Sequence, residues 1–325
     1  MITILSDADL AHIALSDDAI RTAVELGLRA QATGRAIAEP TSVFNPVPGR
    51  DELIAVIRGS LPDEGVALVK TVGGFPGNAA KGLATNPGCL TLIETEKGQV
   101  TGLLPAARIT TERTAMVTAL GAARLARPGA KVLGCTGTAG IGVQSLRYIA
   151  RAMPLDAIRL HGRDKKATEY AAASLAEELG VTVRATESWN ACFDGADIMI
   201  DGTALPGDNA LFPVDVIDPG ALIICFGAYS SLPLGLTEKT ERVVMDRWVP
   251  DGRGALGPHT TSGEMNEARL DALIGDVISG AAPGRTDPDD RVLFVHRGVA
   301  ACDLALAQSY LSQAKAQGLG TLIAF

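Results

Sequence analysis

Gly134-Cys-Thr-Gly137-Thr138-Ala139-Gly140-Ile141-Gly142-Val-Gln-Ser145 follows an apolar run, Lys131 to Gly134, and opens a helix-forming segment, Val143 to Met153. Between a strand and a helix, small residues let a dinucleotide pyrophosphate approach the backbone and the helix N-terminus. Gly140-Ile-Gly142-Val-Gln-Ser145 fits a Gly-x-Gly-x-x-Gly fingerprint with serine at the small third position. A bare structural turn is the competing reading, and the flanking elements favour the dinucleotide. The alternation continues with strand Ala157 to Leu160, helix Lys166 to Leu179 and strand Val181 to Ala185. Later strands are expected at Asp197 to Ile200, Ala221 to Cys225, Val243 to Asp246 and Val292 to Val295, and a helix over Ala268 to Ile278. Strand and helix alternating at this spacing predict an α/β fold with a doubly wound, right-handed parallel sheet of the Rossmann type.

Past Leu160 the chain reads His161-Gly-Arg163-Asp164-Lys165-Lys166, where the ribose-reading residue belongs. Asp164 suits a ribose hydroxyl of NAD, whereas Arg163 with the lysines suits the 2′-phosphate of NADP. Both cofactors stay open, NAD(H) being slightly favoured.

Before the glycine turn the pattern differs. Ser6 with Asp9 caps a short helix, Ser16-Asp17-Asp18 opens a longer one to about Ala32, and short apolar runs follow between Gly/Pro turns: Leu53 to Ile57, Val66 to Val69 and Leu90 to Ile93. Glu94-Thr-Glu-Lys-Gly98 reads as a hairpin turn. Asp303 to Gln317 is a closing helix whose apolar residues need a surface, and it is expected to return to the first domain. At 325 residues the chain has about twice the usual domain length. The division predicted is residues 1–115 with 299–325, an α+β domain built from both chain ends, and residues 116–298, the Rossmann domain.

Hydrophobic residues make up 47% and charged residues 20%, with a net charge of −8 and no basic run, which argues against nucleic acid as partner. The five cysteines are scattered without CxxC spacing, indicating neither a disulfide framework nor a metal site. No apolar run reaches the ~18 residues that span a bilayer. The expectation is a soluble cytoplasmic protein.

In this acidic chain, cations near a predicted turn stand out. Lys70 ends the run Val66 to Val69, before Thr-Val-Gly-Gly-Phe-Pro-Gly-Asn, and reads as a cation delivered by a strand to a cleft rim. Arg113 falls in the first turn of a helix expected from Glu112 to Ala126, capped by Thr110 or Thr111, where free N–H groups already favour an anion. Together they suggest a small-carboxylate site. Lys70 also reads as a surface cation, and Arg113 as the partner of Glu112. The four histidines form no HxxxH or triad-like cluster. His296-Arg297, in an expected turn before Gly298, stands out as able to face a cleft. Ser230-Ser231 follows the strand ending at Cys225, and without a base neither serine reads as a nucleophile.

With these residues placed, the chain resembles the ornithine cyclodeaminase/mu-crystallin family over nearly its whole length. The resemblance is carried by Lys70 with Phe-Pro-Gly-Asn, Gly82-Leu-x-Thr85, Arg113-Thr-Ala, a glycine turn ending in Gly142-Val-Gln144, Gly195-Ala-Asp-Ile198, Asp218-Pro-Gly220, and Gly298-Val-Ala-x-x-Asp303-Leu. It implies a homodimer, a first domain that binds substrate and dimerises, and a Rossmann domain binding NAD(H) or NADP(H). By resemblance, Arg113 clamps an α-carboxylate. Lys70 contacts that carboxylate or protonates the imine region, and Thr85 completes the substrate-site spacing. The cofactor set becomes Thr110, Gly137, Thr138, Ala139, Gly140, Ile141, Gly142, Arg163, Asp164 and Thr203, and the substrate set adds Thr41, Ser42, Ser230, His296 and Arg297.

Three departures qualify what transfers. Pro40-Thr41-Ser42 lacks the family's early-loop arginine, the glycine turn is longer than usual, and Ala228-Tyr-Ser-Ser231 stands where cyclodeaminases carry an aspartate. The missing acid favours the reductase members. The expected activity is NAD(P)H-dependent reduction of an α-imino acid, with pyrroline-2-carboxylate or iminosuccinate as substrates, His296, Arg297 and the Thr41-Ser42 loop admitting a second carboxylate in the latter. Ornithine cyclodeamination is the alternative within the family, and a dinucleotide-dependent small-ligand binder without turnover is the alternative outside catalysis.

Overall fold

A computed structural model describes the chain except for Asp51, Ala139, residues 204–209, residues 228–230 and Phe325. It divides into two compact units: Met1–Arg113 with Val299–Phe325, and Thr114–Gly298. The division falls at Arg113/Thr114, against the boundary expected at 115/116.

Unit 1 opens with β1 (Ile2–Ile4), α1 (Asp7–His12) and α2 (Asp17–Ala32). Ser6 and Asp9 form a reciprocal capping box, the Asp9 N–H donating to Ser6 Oγ at 3.1 Å and the Ser6 N–H to Asp9 Oδ2 at 2.8 Å. Then come β2 (Ile37–Ala38), β3 (Ser42–Phe44), β4 (Leu53–Leu61), β5 (Val66–Gly74), β6 (Gly88–Glu94), β7 (Val100–Pro105) and α3 (Ala106–Leu125), within which the two units divide. The hairpin between β6 and β7 is fastened by the Glu94 carboxylate, which accepts the N–H groups of Lys97 at 3.0 Å and Gln99 at 3.1 Å.

Unit 2 carries β8 (Val132–Thr136), α4 (Gly140–Ala152), β9 (Ala157–His161), α5 (Lys165–Leu179), β10 (Thr182–Ala185), α6 (Trp189–Phe193), β11 (Ile198–Asp201), β12 (Leu222–Phe226), β13 (Arg242–Met245), α7 (Gly257–Ser262), β14 (Ala272–Leu273), α8 (Ile274–Ser279) and β15 (Val292–His296). Finally α9 (Ala300–Gln317) and β16 (Thr321–Ile323) belong to unit 1.

The sheet of unit 1 has the order β16-β1-β7-β6-β5-β4-β2, with β3 also pairing to β4. It is antiparallel except where β1 runs parallel to β7. The closing helix α9 packs its buried residues Leu304, Leu306, Ala307, Leu311 and Ala314 within this unit, chiefly against α2, so the chain's end returns to its start.

The sheet of unit 2 is parallel throughout the described residues, in the order β10-β9-β8-β11-β12-β15-β13-β14. Strands β12 and β15 are buried along their whole length, as central parallel strands covered on both faces must be. Strand order reverses between β8 and β11, and the glycine turn leaves β8 at this switch point, where ligands of open α/β sheets bind.

One element departs from expectation. Ala268 to Ile278 is not a single helix: the chain makes a short 3₁₀ turn at Glu267–Arg269, pairs β14 with β13, and only then forms α8. Asp271 is the cause. Its carboxylate accepts the Val243 N–H at 2.7 Å, a tie to the neighbouring strand that holds this segment extended.

Asp197, just before β11, anchors the start of β8. Its Oδ2 accepts the N–H groups of Lys131 at 2.7 Å and Val132 at 2.8 Å, while Oδ1 accepts the Arg127 guanidinium. Asp197→Ala orphans these donors and is expected to lower stability by about 2–3 kcal/mol. Urea unfolding of the two proteins checks this, and an unchanged midpoint would remove Asp197 from the fold's supports.

Candidate active site

Strand β5 alternates its burial, and Lys70 falls on the same inward face as Val66 and Leu68. The sequence placed Lys70 at a strand end on a cleft rim or the surface. The strand instead runs on to Gly74, paired through Lys70 with Ile57 of β4 on one side and Leu90 of β6 on the other. The residue is 1% exposed, so an ammonium group is carried into the interior.

Arg113 is also placed differently. Helix α3 begins at Ala106, directly after β7, so Arg113 lies well inside it and neither Thr110 nor Thr111 is a cap. The Thr110 hydroxyl donates to the Ala106 carbonyl at 2.7 Å and accepts from Lys70 Nζ at 2.7 Å. Arg113 is not the partner of Glu112, whose carboxylate takes Arg108 Nε at 2.9 Å and the Tyr310 hydroxyl at 2.6 Å.

The anion between the two cations is Asp303, in the first turn of α9. A single oxygen, Oδ1, accepts Lys70 Nζ at 2.8 Å and Arg113 Nε at 3.0 Å. Their side chains are 1%, 8% and 2% exposed for Lys70, Arg113 and Asp303, so the group is an interior one. Burial pushes the Lys70 amine below its ordinary range, the Arg113 charge adds to this, and Asp303 opposes it. For Asp303, burial acts upward, but Arg113 and Lys70 together hold the carboxyl below its ordinary 3.8. Asp303 was missed as a site residue. Its signal was the tail pattern Gly298-Val-Ala-x-x-Asp303, which carries no chemistry until α9 folds back.

Two formal positive charges face one negative one, so the cluster keeps a surplus positive charge. Arg113 spends Nε on Asp303, and its Nη1 and Nη2 bond no described residue. A fork of N–H donors with a cationic surplus suits a small carboxylate.

The remaining substrate candidates of unit 1 share no hydrogen bond with this cluster. Thr85 is half-buried and its hydroxyl donates to Asn86 Oδ1 at 3.2 Å. Thr41 precedes β3, and Ser42 begins it, exposed.

In unit 2, Gly137 has φ +92, and a Cβ there would stand 2.6 Å from the Gly202 carbonyl oxygen, so the chain reaches the switch point only with bare backbone. Thr138, Gly140, Ile141 and Gly142 carry the turn into α4, whose first N–H groups lie free of helical partners. This fits a dinucleotide pyrophosphate on this chain's own geometry. Ala139 and Ser230 lie outside the described residues.

Buried Asp201 ties the strand ends here. Its Oδ1 accepts Thr203 Oγ1 at 2.6 Å and Thr136 Oγ1 at 3.3 Å, and Oδ2 accepts the Ser231 N–H at 2.9 Å and hydroxyl at 2.8 Å. Thr203 and Ser231 are therefore committed to Asp201. His296 belongs to β15, not to a turn: it is fully buried, 3.0 Å from Thr118 Oγ1 through Nε2 and stacked on Phe294. Arg297 forks onto Asp251 at 2.7 and 3.3 Å. Asp164 caps α5, Oδ1 accepting the Ala167 N–H at 3.0 Å, and Arg163 beside it is exposed.

Among the described residues no cluster of three or more His, Cys, Asp or Glu is arranged to hold a metal, and no helix is long and apolar enough to cross a membrane.

The profile of the ornithine cyclodeaminase/mu-crystallin family matches residues 3–318. An alanine dehydrogenase of Archaeoglobus fulgidus is 25% identical over 329 residues, covering 99% of this chain and 98% of that protein. A Delta(1)-pyrroline-2-carboxylate reductase of Bacillus cereus is 25% identical over 299 residues, covering 85% of this chain and 90% of that protein. Among solved structures, the Thermococcus litoralis Delta(1)-pyrroline-2-carboxylate reductase in complex with NADH and L-proline aligns with a TM-score of 0.90 at 22% identity, over 99% of this chain and 100% of that one.

Replacing Asp303 by Asn leaves two buried cations without their anion, an expected loss of about 3–5 kcal/mol. The sign of its pH dependence follows from the depressed carboxyl. The unfolded chain takes up the proton first, so Asp303's contribution is complete above 3.8 and drains as pH falls through the lower folded value. Acid titration of stability should therefore be flatter in Asp303→Asn than in the parent. Parallel curves would exclude a charged Asp303 in the cluster.

Proposed function

This chain belongs to the ornithine cyclodeaminase/mu-crystallin family, and on that premise we propose that it is an NAD(P)-dependent oxidoreductase reducing an α-imino acid to the amino acid. The observation that carries this reading is the buried Lys70–Asp303–Arg113 cluster with its surplus positive charge and unspent guanidinium fork.

Arg113 presents Nη1 and Nη2 to the substrate carboxylate, fixing the imine carbon by two parallel bonds. Lys70, held by Thr110 and Asp303, directs Nζ toward the imine nitrogen. Its lowered pKa makes it a better proton donor than an ordinary lysine, and proton delivery there raises the electrophilicity of the carbon. Asp303 keeps the ammonium oriented and limits its loss of charge. The nicotinamide, when bound, supplies the hydride that this carbon accepts. In unit 2, the glycine turn with Thr138, Gly140, Ile141 and Gly142 receives the pyrophosphate, and Asp201 holds the strand ends that frame it. The homodimer implied by the family resemblance is part of this reading.

Within the reductase reading we favour monocarboxylic imines, a cyclic one such as pyrroline-2-carboxylate included. The pyrroline-2-carboxylate reductase among the sequence relatives supports this. Iminosuccinate needs a second free cation, and Arg297 is already held by Asp251. Serines where cyclodeaminases carry an aspartate favour reduction over cyclodeamination.

The test is cofactor oxidation by the purified protein, with NADH and NADPH, across 2-oxo acids plus ammonia or methylamine and preformed cyclic imines. At least one imine should turn over, and Lys70→Ala and Arg113→Ala should each lower kcat/KM at least ~100-fold. Ammonia release from ornithine with catalytic NAD would establish cyclodeamination instead, and cofactor binding with no turnover on the whole panel would establish a binder.

A further inference from the structure

Strand β9 ends at His161, and Gly162 stands at the position past a strand end where an acid reads the ribose of NAD. The backbone of Gly162 is not left-handed, so conformation does not demand glycine here. Space does. A Cβ would stand 2.7 Å from Thr138 Cγ2 and 2.7 Å from Thr168 Oγ1. Thr138 belongs to the glycine turn, so the turn itself fills the room an aspartate side chain needs.

The next acid in the chain is already engaged. Asp164 caps α5 through Ala167 and keeps its carboxylate at the helix start. Between them, Arg163 is exposed and forms no hydrogen bond or ion pair with any described residue. A cavity of about 290 Å³ opens beside it, lined by Gly162, Arg163, Lys165 and Thr186 among others. The acids lining it, Glu169 and Glu187, both act on Lys165, and Glu187 is ion-paired to it at 2.7 Å. The strand end thus carries no acid, because it is Gly162, and the pocket wall holds an uncommitted guanidinium.

We propose that this pocket selects the cofactor bearing a 2′-phosphate, NADP(H), and that Arg163 is the residue that reads it. This rests on the dinucleotide site proposed above and reverses the slight preference for NAD(H) drawn from sequence. The phosphate takes the charge-assisted bonds of Arg163, while Gly162 leaves no competing carboxylate at the strand end.

Isothermal titration of the full chain with NADPH, NADH, 2′,5′-ADP and 5′-AMP reads this without turnover. NADPH should bind at least about 10-fold more tightly than NADH, and 2′,5′-ADP more tightly than 5′-AMP by a similar factor. Arg163→Gln should bring the NADPH affinity down to that of NADH, and Arg163→Lys should restore part of the difference. Equal or tighter binding of NADH, or an unchanged ratio in Arg163→Gln, overturns the inference while leaving the dinucleotide site standing. Failure of all four ligands to bind overturns the dinucleotide reading itself.

Discussion

One carboxylate oxygen serves two buried cations. Taking an ammonium and a guanidinium out of water costs several kcal/mol each, and only close, hydrogen-bonded opposite charge offsets this. Asp303 Oδ1 supplies it at 2.8 Å to Lys70 and 3.0 Å to Arg113. Much of unit 1 serves this arrangement. The inward face of β5 presents the lysine, α3 presents the arginine and Thr110, and α9 returns from the far end of the sequence to bring the acid. The close acid lets the cluster stay buried, and because that acid is outnumbered the cluster retains attraction for a further anion.

Unit 2 applies a similar device without a catalytic charge. Asp197 fastens the first residues of β8 and Asp201 fastens its last, so both ends of the strand that launches the glycine turn are tied to β11. A turn that must bring bare backbone close to a ligand gains from such fixation, since its glycines contribute no side-chain packing of their own. Hydroxyls of Thr136, Thr203 and Ser231 and two N–H groups satisfy Asp201, a fully buried acid that has no ionic partner among the described residues.

Much of this was legible in sequence. The glycine turn and the strand and helix alternation gave the parallel sheet, because period and punctuation are local properties. Lys70 and Arg113 were singled out, but their settings were misread. Paired glycines after Lys70 look like a strand stop, and only the pairing of β4 and β6 on either side keeps β5 extended to Gly74. Thr110-Thr111 looks like a helix cap, yet Thr110 bonds back to Ala106 within a helix that starts straight from a strand. Asp303 was invisible as chemistry because its partners lie far away in sequence. The space around Gly162 was likewise unreadable, since it is set by the side chain of Thr138.

The return of α9 imposes an order on biosynthesis. Residues 114–298 form one uninterrupted segment, so every partner of the parallel sheet has been synthesised before Asp303 is added. Lys70 is translated 233 residues ahead of its counter-ion, because the acid is supplied by α9. Unit 1 is therefore the late-maturing half of the nascent chain, and a ribosome that stalls before residue 303 releases a β5 whose inward lysine lacks its carboxylate.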